Sequence, residues 1–183
     1  MKSLPRDFYD RSAIEVAPDL LGKYLVREID GAQRVGRIVE VEAYLGEHDK
    51  AAHSSKGLTP RTRVMFGPPG HAYVYMIYGL HFCMNVVVGE EGEGAAVLVR
   101  AVEPVAGIES RTCGPALLCK AMGIDKRFNG HDLLSPDLYL AASDRVESLR
   151  IVKRPRIGVD YAGAWARRLL RFYIKGNAYI SRP

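Results

Sequence analysis

"AYVYMIYGLHFCMNVVV", residues 72–88, is two runs of strand-forming residues joined through Gly79. Aromatic and β-branched side chains dominate both runs, and Gly79-Leu80 reads as a short turn between them. Two strands joined so closely can pair only antiparallel. The hairpin therefore implies an antiparallel sheet, and the flanking sequence extends it. "GAAVLVRAVEP" (94–104) reads as a third strand and "RVGRIVEVEAYLG" (34–46) as a fourth. Residues 23–28 read as another strand, linked to 34–46 through Asp30-Gly31, a two-residue hairpin signal.

Helices are few in this pattern. Ala13, Val16, Leu20 and Leu21 fall near helical spacing, with Gly22 placed to end the helix. "GPALLCKAMGI" (114–124) has Pro115 where a first helical residue belongs and Gly123 just past the last turn. Residues 47–69 form a loop too long to be idle, and 128–150 read as mixed and loop-like. "LLRFYIKGNAYIS" (169–181) reads as two short terminal strands. The expected fold is α+β, a single domain over residues 1–183, mainly antiparallel sheet with short flanking helices.

Composition narrows the class of function. No stretch approaches the roughly 20 apolar residues of a membrane helix. The first 14 residues lack the apolar run of a secretory signal, so a cytoplasmic protein is expected. Cys83, Cys113 and Cys119 read as reduced thiols, and with the scattered histidines they assemble no metal site. The net charge is +5, but residues 150–183 alone carry +8, from nine Lys or Arg against Asp160, leaving −3 on the other 149. A basic end on a near-neutral body suits a polyanion, although a solvated surface with local ion pairs would look the same.

Strand parity sorts the polar residues. In "RIVEVEAY", Val39, Val41 and Ala43 share the expected core face; Ile38, Glu40, Glu42 and Tyr44 share the other, towards solvent or a cleft. In "VLVR", Leu98 and Arg100 share a face. An arginine inside an apolar strand usually pairs with a carboxylate, and Glu40 or Glu42 fits. A half-exposed sheet would explain all of this without function. Tyr73 and Tyr75 share a face and could be cross-strand aromatics. Tyr78, on the opposite parity beside the turn, is harder to explain as packing. His53 in "AAHSS" reads by itself as a surface histidine.

"GRIVEVEAYLG", "DKAAHSSKGLTPRTRVMF", "AYVYMIYGLHFCMNV", "AVLVRAVEP", "GPALLCKAMGI" and "RIGVDYAGAWARRLLRFYIKG" together resemble, in order, the alkyladenine (3-methyladenine) DNA glycosylase family. The resemblance implies a single compact domain around a curved antiparallel sheet. It implies a monofunctional glycosylase that flips a damaged purine out of double-stranded DNA and hydrolyses its N-glycosidic bond, with no cofactor and no metal. The lesions would be 3-methyladenine and 7-methylguanine, with hypoxanthine and ethenoadenine as neutral cases. By the same resemblance Glu42 is the general base, with Arg100 and the Ile157 carbonyl holding the water. Tyr44, His53, Tyr75, Asn85 and Leu98 bound the base pocket, and Tyr78 is the wedge that fills the vacated stack. Leu80, His81, Thr59, Arg61 and Gly158 contact DNA. A monomer is expected. The family pattern is departed from at His81 and Tyr161, where mammalian members have tyrosine and histidine, and at Ala164, where they have glutamate. A reading from another class remains: a non-catalytic module that binds distorted DNA or structured RNA. Glu42 separates the two, because a pure binder gains nothing from a carboxylate aimed at a polyanion.

Overall fold

The computed structural model describes residues 1–143 and 148–183. Two helices open the chain. α1 (Arg6–Tyr9) has no periodic signal and was not expected; α2 (Ala13–Leu20) buries Ala13, Val16, Ala17 and Leu20 along one stripe. β1 (Tyr24–Ile29) and β2 (Ala32–Tyr44) follow as a hairpin about Asp30 and Gly31, both with positive φ (50° and 80°), the primed-turn geometry that the Asp-Gly pair favours. The 47–69 segment is a loop with two short 3-10 turns, His53–Lys56 and Arg63–Phe66.

β3 (Ala72–Ile77) and β4 (His81–Val88) form the second hairpin, with Ile77 opposite His81. Its tip is Tyr78-Gly79-Leu80, and both Tyr78 (φ 51°) and Gly79 (φ 68°) are left-handed. β5 (Ala95–Ala106) and α3 (Pro115–Met122) come next; α3 has Pro115 in its first turn and a left-handed Gly123 cap. β6 (Leu138–Ala141), β7 (Ile151–Arg154) and β8 (Arg171–Ile174) complete one eight-stranded, curled antiparallel sheet, in which six strands run in the order β3-β4-β5-β2-β1-β6 and β8 branches off β2 with β7 paired beside it.

β2 is the spine. One edge pairs with β5 along its length; the other pairs with β1 over Ala32–Ile29 to Arg37–Tyr24 and with β8 at Glu40–Glu42. Val39, Val41 and Ala43 join Val74, Met84, Val86, Val97 and Val99 in the main core, with α2 and α3 over that face. Side chains of the opposite parity, including Tyr73, Tyr75, Asn85, Leu98 and Arg100, face a cavity roofed by the 47–69 loop and by residues 156–166. The sheet is thus covered on both sides.

Several sequence expectations change. Ile38, expected beside Glu40, lies fully buried in the main core. The register slips between Ile38 and Glu40 and again between Glu40 and Val41, so strict alternation fails there. Glu40 and Glu42 share a face, expected to look towards solvent or a cleft; both are completely buried, Glu42 against residues that line a cavity. The 128–150 stretch, whose residues 144–147 lie outside the described residues, holds β6. Only one strand, β8, forms within 169–181; turns at 175–176 and 178–179 follow it instead.

Candidate active site

The cavity has a volume of about 390 Å³, the size of a small planar ligand's pocket. Its walls are aromatic because β3 alternates: Tyr73 and Tyr75 point the same way, ring centroids 5.5 Å apart. His53, from the first 3-10 turn, meets Tyr75 edge to face at 4.6 Å. Its Nδ1 lies 3.0 Å from the Tyr73 hydroxyl. Tyr44, at the end of β2, forms another wall, with the Arg156 guanidinium 4.7 Å from its ring centroid.

Glu42 lies beneath the floor of this cavity and is not itself among the residues that line it. Its Oε1 accepts the Ile157 backbone N–H (2.8 Å) and faces Arg100 Nη1 at 3.3 Å; its Oε2 accepts the Tyr44 hydroxyl (2.8 Å). All three partners line the cavity. Burial opposes the charge on Arg100, but the Glu42 and Glu40 carboxylates outweigh it, so its pKa is raised and the guanidinium stays charged. Burial and then Glu42 push the Tyr44 hydroxyl well above the usual range, so it remains a donor. Three groups that line the cavity, Tyr44, Arg100 and the Ile157 backbone, thus hold a wholly buried carboxylate directly behind it.

His53 carries the opposite shift. Burial first, then the nearby Arg61 and Lys56 charges, lower its pKa to about 4. The ring is neutral at pH 7 and does not repel a cationic guest. In a titration followed by imidazole NMR, His53 is expected to stay neutral down to about pH 4, whereas a free histidine charges near 6.5. A midpoint near 6.5 would show that the ring sees bulk water.

Of the residues singled out in the sequence, Tyr44, His53, Arg61, Tyr75, Tyr78, Asn85, Leu98, Arg100, Ile157 and Gly158 line the cavity. Asn85 is buried there, and its amide donates to the Tyr73 carbonyl (3.1 Å). Thr59 lies in an adjoining pocket with Lys50, Lys56 and Arg61. Leu80 and His81 sit across the hairpin, beside Lys120 and Arg127 of the α3 side. Tyr78 is 92% exposed at the tip. Ile157 meets Glu42 through its amide N–H.

Sequence reasoning missed Asp49 and Arg156. Their side chains are entirely buried and doubly bonded, at 2.5 and 2.9 Å, pinning the 47–69 loop to the segment that carries Ile157. No local pattern links positions 107 residues apart. Among the described residues no group of three or more His, Cys, Asp or Glu could hold a metal ion, and no helix is long and apolar enough to cross a membrane.

Comparison with known proteins agrees with this geometry. The family model described as methylpurine-DNA glycosylase matches residues 7–178. A Legionella pneumophila (strain Corby) protein is 60% identical over 182 residues, covering all of both chains. A Myxococcus xanthus protein is 54% identical over 184 residues, covering all of this chain and 95% of the relative. One from Methanocella arvoryzae is 50% identical over 196 residues, covering all of this chain and 97% of the relative. The names of all three assign them to 3-methyladenine DNA glycosylase. A match across nearly the whole chain, on a sheet that builds an aromatic cavity over a buried carboxylate, shows that this chain belongs to the methylpurine-DNA glycosylase family and is a DNA glycosylase.

Proposed function

We propose that the cavity receives a damaged purine flipped from double-stranded DNA, and that Glu42 activates the water that hydrolyses its N-glycosidic bond. The observation that carries this reading is Glu42 itself. A fully buried carboxylate, held by Arg100 and the Ile157 N–H directly under an aromatic pocket, has no packing purpose that an apolar residue would not serve better. In the proposed step water attacks the sugar C1′, the C1′–N bond breaks, and the base leaves with the electron pair. The water's proton passes to Glu42. The ionised carboxylate also stabilises the positive charge that develops on the sugar. No lysine lines the cavity among the described residues, which supports water over an amine as nucleophile.

Base recognition follows from the walls. Tyr44 and Tyr75 offer stacking faces, worth roughly 1–3 kcal/mol per base, and cation–π attraction for a methylated, cationic purine such as 3-methyladenine or 7-methylguanine. With Tyr73 donating to His53 Nδ1, Nε2 presents an N–H to a base edge, which serves neutral lesions such as hypoxanthine and ethenoadenine. A soluble, cytoplasmic monomer is the reading we adopt.

Tyr78 fits the wedge role because its left-handed backbone holds an aromatic ring out into solvent, a conformation with no folding benefit of its own. Tyr78→Ser is expected to weaken flipping of ethenoadenine, read by its fluorescence, by about tenfold, the loss of one stacking contact. Unchanged flipping would sink the wedge. The enzyme reading is tested by single-turnover excision from duplexes carrying 3-methyladenine, hypoxanthine or ethenoadenine. Abasic-site formation is the expected result; binding without product from any of the three would overturn the reading.

A further inference from the structure

Arg100 is held from behind by groups that none of the proposed chemistry uses. Its Nε donates to Glu40 Oε1 (3.1 Å) and its Nη2 to the Ser181 hydroxyl (3.3 Å). These two nitrogens form one edge of the planar fork, which leaves Nη1 to face Glu42. Ser181 in turn donates its hydroxyl to Glu40 Oε1 (2.9 Å) and its backbone N–H to Glu40 Oε2. Arg171 completes the knot, giving Nη1 to Glu40 Oε1 (2.9 Å) and to the Arg182 carbonyl (2.7 Å). Glu40 is fully buried, and its bonds to Arg100 and Arg171 lie away from bulk water.

From this arrangement we propose that Ser181 and Glu40 are positioning residues for Arg100. They lock its guanidinium plane so that Nη1 is presented to Glu42 before any substrate arrives. The register supplies the reason a clamp is needed. β2 and β5 slip past one another at Glu40 and Val41, opposite Ala101 and Val99, so Arg100 sits at an irregularity where the ladder does not fix its direction. A long side chain at such a point has many rotamers to lose, and ordering it in advance removes that cost from the reaction. Glu40 further balances the guanidinium charge that Arg171 adds. Ser181 thus meets the edge of Arg100 that does not face Glu42, and Arg182 joins the knot through Arg171.

The proposal rests on the reading that Glu42 and Arg100 serve the hydrolysis, and the test separates the two. Ser181→Ala removes one acceptor for Arg100 and one donor to Glu40 with little change in volume. Its single-turnover excision rate is expected to fall by about tenfold, the size of one lost hydrogen bond to a charged group. Binding of the lesion duplex and ethenoadenine flipping are expected to stay at the wild-type level, since neither step uses the Arg100 plane. Ser181→Thr keeps the hydroxyl and is expected to recover the rate to within twofold of wild type. A Ser181→Ala rate within twofold of wild type would overturn the clamp, as would a loss that Ser181→Thr does not recover or one matched by an equal loss of binding. Wild-type protein that excises nothing would instead overturn the hydrolase reading.

Discussion

Glu42→Gln is expected to cut single-turnover excision by about 10²–10⁴-fold, the usual worth of a general base, while lesion-duplex binding stays close to wild type. The substitution is nearly isosteric. Its carbonyl oxygen can still accept from the Ile157 N–H, and Arg100 keeps Glu40 as a charge partner, so the floor of the cavity need not collapse. What disappears is the capacity to take a proton from water and the negative charge facing the developing cation at the sugar. Loss of charge next to a polyanion would, if anything, tighten binding slightly. The two observables therefore move apart. Excision within tenfold of wild type would remove Glu42 from the base role. A parallel loss of binding and excision would point to structural damage.

How far such residues can be read in advance depends on whether their signal is local. The two hairpins were legible because period-two alternation and Asp30-Gly31 or Gly79 are short-range features. So was α3, bracketed by Pro115 and Gly123. Parity grouped Glu40, Glu42 and Tyr44, and the need of a strand arginine for a carboxylate pointed Arg100 at Glu40 or Glu42; the structure pairs it with both. Parity failed at Ile38, because a register slip is an event between strands and leaves no mark on one of them. It left Glu40 between solvent and a cleft, without its full burial. Burial of that carboxylate depends on Arg171 and Ser181, 131 and 141 residues further along. β6 was missed because "LYLA" is a four-residue run buried on both faces, which has no alternation to read. The assignments of Tyr78 to a wedge and His53 to a base edge came from family resemblance. Periodicity could say only that Tyr78 was badly placed for a core residue.

Asp49→Ala is expected to cost about 3–5 kcal/mol of folding stability, the penalty for leaving a buried charge without its partner. For a domain of this size that corresponds to a melting temperature lower by on the order of 10 °C. Asp49 accepts from the Leu45 and Ala51 N–H groups as well as from both terminal nitrogens of Arg156. Removing it strands the Arg156 guanidinium with only the Ala43 and Trp165 carbonyls and the face of Tyr44. If the cost is that of an orphaned cation, the double variant Asp49→Ala/Arg156→Met should be more stable than Asp49→Ala alone, since it deletes the unpaired charge too. If the cost is that of lost packing or of the two loop N–H groups, the double variant should be no better. Chemical denaturation of the three variants distinguishes these cases, and a loss below about 1 kcal/mol for Asp49→Ala would show that water reaches the pair. The consequence for the site is directional. The pair ties the loop that bears His53 to the segment that bears Ile157, and it backs the Tyr44 wall. Loosening it should therefore impair the aromatic pocket and the Glu42 floor together, reducing lesion binding and excision in parallel, where Glu42→Gln separates them.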